Sequence, residues 1–80
     1  MARPSVHSED YSITHPIQYE MGQRAANGVL DKDPGVAQVN FEVADTMWSD
    51  APPHADPVLM AILAGYRDTM REHAERGTDA

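Results

Sequence analysis

APPHADPVLMAILAGYRDTMREHAERG, residues 51–77, is the stretch on which the fold turns. Seven consecutive apolar residues, Val58 to Ala64, follow two Pro-containing turns and run into a charged tail. A membrane-spanning helix needs roughly 20 apolar residues, so this run is a helix with a side to bury and not an anchor. Its ends are marked. Asp56 is a favourable N-cap, Pro57 fits the first helical position where its missing N–H is not needed, and Gly77 suits the left-handed residue past the C-terminus. These signals predict a helix over 57–76, with Glu72 and Arg76 forming an i,i+4 pair in the favourable order.

At about 100° per residue, Leu59, Ile62, Leu63, Tyr66, Met70, His73 and Ala74 gather on one face and read as an ordinary buried stripe. The other side changes along its length. Its C-terminal half carries Arg67, Asp68, Arg71, Glu72 and Glu75, a solvated pattern; its N-terminal half carries Met60, Ala61, Ala64 and Gly65, with no charge. The small residues at 61, 64 and 65 let another backbone come close. A chain of 80 residues has little material to wrap a helix on every side. Met60, Ala61, Ala64 and Gly65 are therefore expected to meet a partner or a second copy, with Trp48 nearby as an anchor. The competing reading folds the loop SDAPPHA and the N-terminal arm over that side.

Two more helices are signalled upstream. DPGVAQVNFEVADTMWSD starts with Asp33 as cap and Pro34 at the first turn. Read as a helix over 34–48, it sets Val36, Val39, Val43 and Met47 on one stripe and Ala37, Phe41, Ala44 and Trp48 on the next. The alternation of Ala37, Val39, Phe41 and Val43 with polar residues is also a strand pattern. In THPIQYEMGQRAANGVL, Ile17, Met21 and Ala25 fall at helical spacing after Pro16, and Asn27-Gly28 signals a turn, so a short helix over 16–26 is expected. The fold expected is mostly α, one small domain over 1–80. It is a bundle of two to three helices with an extended N-terminal arm, or alternatively α+β with a short strand near 37–43. Residues 1–12 and 78–80 read as flexible ends.

Composition narrows the chemistry. Without cysteine there is no disulfide, thiolate nucleophile or Cys-based zinc site, and a reducing, cytoplasmic setting fits. MARPSVHSED lacks the apolar core of a secretory signal. Five arginines to one lysine is a weak sign of a high-GC genome, bacterial or phage. The net charge of −7 is concentrated: residues 31–56 hold Asp31, Asp33, Glu42, Asp45, Asp50 and Asp56 against Lys32 alone. No basic patch is offered to nucleic-acid phosphates. His54 with Asp56, and His7 with Glu9 and Asp10, lack metal-site spacing. DKDPG lacks the later glycine and the terminal glutamate of a calcium loop. His73 lies within an apolar stripe, yet no nucleophile and orienting group accompany it. No catalytic residue, metal or cofactor is expected.

The pattern predicts a small acidic protein that is not an enzyme. It binds another protein, or a second copy of itself, as an accessory subunit of an assembly, through the helix 57–76. Membrane and direct nucleic-acid contacts are not expected. The alternative is an inhibitor whose acidic middle, 31–56, occupies a basic or nucleic-acid-binding site on its target. A metal-binding role at His54 and Asp56 is the outsider.

Overall fold

The computed structural model of the protein describes residues 11–78. Four helices follow one another: α1 (Tyr11–Thr14), α2 (Pro16–Lys32), α3 (Ala37–Asp50) and α4 (Pro57–Thr78), with a 3₁₀ turn at Pro34–Val36 leading into α3. The mostly α bundle is as expected. The strand considered near 37–43 is part of α3, and no strand occurs among the described residues. A helix places Ala37, Phe41, Ala44 and Trp48 on one line toward α4, a burial that an alternating strand would split between two faces.

Proline chemistry sets the helix starts. His15, preceding Pro16, is held out of the helical region at φ −135°, ψ 61°, because the proline ring crowds the residue before it. That separates α1 from α2. The two Asp-Pro steps behave alike: Asp33 Oδ1 accepts from Gly35 N–H at 3.0 Å and Asp56 Oδ1 accepts from Val58 N–H at 2.9 Å. Each carboxylate satisfies a backbone donor of the first turn.

All four helices differ from expectation at a boundary, and α3, expected over 34–48, runs Ala37–Asp50 behind the 3₁₀ turn. α2 passes through Asn27-Gly28 to Lys32 and not to residue 26. Gly28 costs about 1 kcal/mol relative to alanine in a helix interior, but burying Leu30 contributes about 1.5–3 kcal/mol, so continuation wins. α4 runs through Gly77 to Thr78, and no glycine among the described residues has a positive φ. Tyr11 and Ser12, placed by sequence with the flexible start, open α1. The rest of 1–12, with His7, Glu9 and Asp10, and residues 79–80 lie outside the described residues.

α4 is the centre of the molecule. α2 packs along one side of it and α3 along another, while α2 and α3 hardly touch each other. The result is flat, 36 × 29 × 19 Å, where 19 Å is about two helix diameters. Two buried clusters lie along α4. One joins Tyr11, Trp48, Met60, Ala61 and Ala64; the other joins Ala26, Leu30, Ala37 and Met70. No helix among the described residues is long and apolar enough to cross a membrane.

Candidate protein-interaction surface

The residues expected to face a partner are inside the monomer. Met60, Ala61, Ala64 and Gly65 are all buried, Ala61 completely, and so is Trp48. Their cover comes from within the chain. Trp48 stands edge-on to Tyr11, ring centres 5.9 Å apart, and α2 crosses α4 so closely at Gly65 that a Cβ there would overlap the carbonyl oxygen of Tyr19. The small residues do admit another backbone, as their size predicts, but the backbone is α2's own. This corrects the assignment of Trp48, Met60, Ala61, Ala64 and Gly65 to an external contact.

Arg67 is a second correction. Grouped by sequence with the solvated residues, it is only 7% exposed. Its guanidinium carbon lies 4.6 Å from the centre of the Trp48 ring, and Nη2 donates to Asp68 Oδ1 at 3.4 Å. Nη1 stands 3.8 Å from Asp45 Oδ1. The signal was in the spacing: Arg67 follows Met60 by seven residues and Ala64 by three, so all three share one face.

The face predicted to be buried is only partly closed. Leu59 is 63% exposed, Ile62, Leu63 and Tyr66 are only partly covered, and of that stripe Met70 alone is completely enclosed. Leu59, Ile62, Leu63 and Tyr66 floor a groove of about 650 Å³ between α4 and α3. Val43 and Met47 form its α3 wall, and Ala51, Ala55 and Asp56 close the end at the connecting loop. Both wall residues are more than half exposed. Outside them Val39, Glu42 and Thr46 extend a shelf of about 330 Å³. Thr46 adds little polarity, since its hydroxyl already donates to Glu42 O at 2.9 Å. Of the two stripes on α3, the one with Ala37, Ala44 and Trp48 is in the core and the one with Val39, Val43 and Met47 faces out.

Burial does not follow side-chain size. Five of the ten buried apolar residues among the described residues are alanines. Isoleucine, valine, leucine and methionine supply all the large apolar residues left exposed, including a further line of Ile13, Ile17 and Met21 at four-residue spacing. Contiguous exposed apolar surface of this kind marks a contact site.

On the other side of α4 lies a polar cleft with α2. There Tyr19 Oη donates to Asp68 Oδ2 at 2.6 Å. Burial first, then this hydrogen bond and the Asp68 charge, push the Tyr19 phenol up to about 12. His73, Glu72 and Asn27 line the same cleft. His54 is exposed in the loop, and Asp56 serves as a helix cap. Among the described residues no three His, Asp or Glu side chains gather as metal ligands do.

Compared with known proteins, the chain matches no family model, and no curated protein or solved structure is similar to it.

Proposed function

We propose that this protein is a small acidic interaction module, an accessory subunit that binds another protein through the groove between α3 and α4. Contact through α4 is kept from the sequence, but its surface moves to Val43, Met47, Leu59, Ile62 and Leu63. One observation carries the proposal: half of the buried apolar residues among the described residues are alanines, while Val39, Val43, Met47 and Leu59 stand exposed along one groove and its shelf. An isolated monomer gains nothing from that distribution, because each large side chain left in water forgoes about 1.5–3 kcal/mol of burial. A partner that fills the groove recovers it. The absence of cysteine fits a reducing compartment, and we place the protein in the cytoplasm. The acidic segment 31–56 includes all of α3 and contributes its charge to the same contact.

The test is native mass spectrometry of the particle purified from its source, with the parent chain and with Leu59→Asp. The parent is expected in a particle heavier than the 8.8 kDa monomer, and the variant at the monomer mass with its helical circular dichroism intact. A parent chain found only at the monomer mass defeats the proposal.

A further inference from the structure

We infer that the groove takes a basic amphipathic helix from another protein, and not a second copy of this chain. The inference rests on the interaction-module proposal and adds the chemistry of the partner.

The shape fits a helix. The α3 residues that line the groove run from Asn40 to Met47, so at a rise of about 1.5 Å per residue this wall is about 12 Å long. That length accommodates roughly two turns of a guest helix, whose apolar residues at i, i+3 or i+4, and i+7 reach one floor. The floor offers aliphatic side chains and few polar ones, so the stripe of the guest must be apolar.

The charge selects what flanks that stripe. The ionisable side chains at the groove and its shelf, Tyr66 apart, are Asp56 and Glu42, and no lysine, arginine or histidine lines either. A guest with lysines or arginines beside its apolar stripe meets these acids with opposite charge. A second copy does not. A two-fold contact sets the same patch against itself, so a surface whose charges are carboxylates meets carboxylates, on chains that each carry −7.

The experiment uses the full chain and a dye-labelled synthetic helix with leucines on one stripe and lysines on both flanks. A second peptide carries glutamates at the lysine positions. Fluorescence anisotropy is expected to show micromolar binding of the lysine peptide. The glutamate peptide should bind about tenfold more weakly or worse at low salt, with the gap closing as salt screens the charges. Val43→Asp and Leu59→Asp should each abolish binding of the lysine peptide while helicity and Trp48 fluorescence hold. A contact made by charge alone would instead tighten with the added acid, and that result overturns the inference. Equal binding of both peptides overturns the choice of a basic guest but leaves the groove as a contact surface. Sedimentation of the parent as a dimer that Val43→Asp dissociates makes a second copy the occupant and likewise sinks only the inference. A monomer that binds neither peptide sinks the inference, while the interaction module stands or falls on the mass of the native particle.

Discussion

Gly22 and Gly65 form a reciprocal notch where α2 crosses α4. A Cβ on Gly22 would overlap the carbonyl oxygen of Ile62 and lie 2.8 Å from Tyr66 N; one on Gly65 would overlap Tyr19 O and lie 3.1 Å from Gln23 N. Each glycine thus makes room for the other helix's backbone, which no rotamer change can move aside.

Substitution at the notch should separate it from ordinary helix propensity. Alanine gains about 1 kcal/mol over glycine in a helix interior, but here the methyl forces α2 and α4 apart. Gly22→Ala and Gly65→Ala are each expected to destabilise by about 1–3 kcal/mol, the usual penalty of overpacking. Gly28 is the control, with no atom within 4 Å of its added Cβ. Gly28→Ala should stabilise by about 0.4–1 kcal/mol. Urea unfolding followed by circular dichroism measures all three, and equal effects at the three positions would disprove the notch.

Arg67 over Trp48 ties α4 to α3 on the face away from the groove. A desolvated cation–π contact contributes about 2 kcal/mol, and the buried arginine stem adds packing. Arg67→Ala is expected to lower stability by about 2 kcal/mol or more and to shift Trp48 emission toward that of a wetter indole. Arg67→Lys should recover only part, since an ammonium does not stack as the planar guanidinium does. Loss of less than about 0.5 kcal/mol in Arg67→Ala, the range of an ordinary surface change, would remove the pair from the account of stability.

Tyr19 makes stability depend on alkali. In the unfolded chain its phenol ionises near the ordinary 10.0, whereas in the fold it keeps its proton to about 12. Between those values the folded state binds more protons, so stability falls as pH rises. The contribution is fully present below pH 10.0 and lost through about 12. Burial raises the Tyr11 phenol as well, so Tyr19→Phe should shrink the alkaline decline and not erase it. Urea midpoints on both sides of pH 10.0 for the parent and Tyr19→Phe provide the check; identical declines would remove Tyr19 as the cause.

The sequence carried the helices because their signals are local. Asp33-Pro34 and Asp56-Pro57 cap through side chains two residues from the donors they satisfy, and the Glu72–Arg76 pair forms at 2.7 Å within one turn. What it did not carry was which apolar face closes. Leu59, Ile62, Leu63 and Tyr66 outweigh Met60, Ala61, Ala64 and Gly65 in hydrophobic area, so hydropathy points the wrong way. Closeness of approach decides instead. The backbone of α2 reaches α4 only along small residues, and a large aliphatic face keeps it away. Pairing of Gly22 with Gly65 is separated by 43 positions (65 − 22), and no periodicity within one helix records it.

The two faces of α4 should therefore respond oppositely to charge. Ala64 is 5% exposed between Trp48, Tyr11 and Met60. An arginine there adds a long side chain and a charge to a packed site, and either effect alone costs more than about 1–3 kcal/mol. For a domain this small that is a large share of the total stability, so Ala64→Arg is expected to unfold the chain, with loss of helical circular dichroism at ambient temperature. Leu59 one turn earlier lies in the groove, and Leu59→Asp removes no buried contact. It should leave the unfolding midpoint within about 0.5 kcal/mol of the parent, as surface substitutions do. The reverse outcome, a folded Ala64→Arg beside an unfolded Leu59→Asp, would mean that the predicted stripe is the core after all and that the groove is closed in solution.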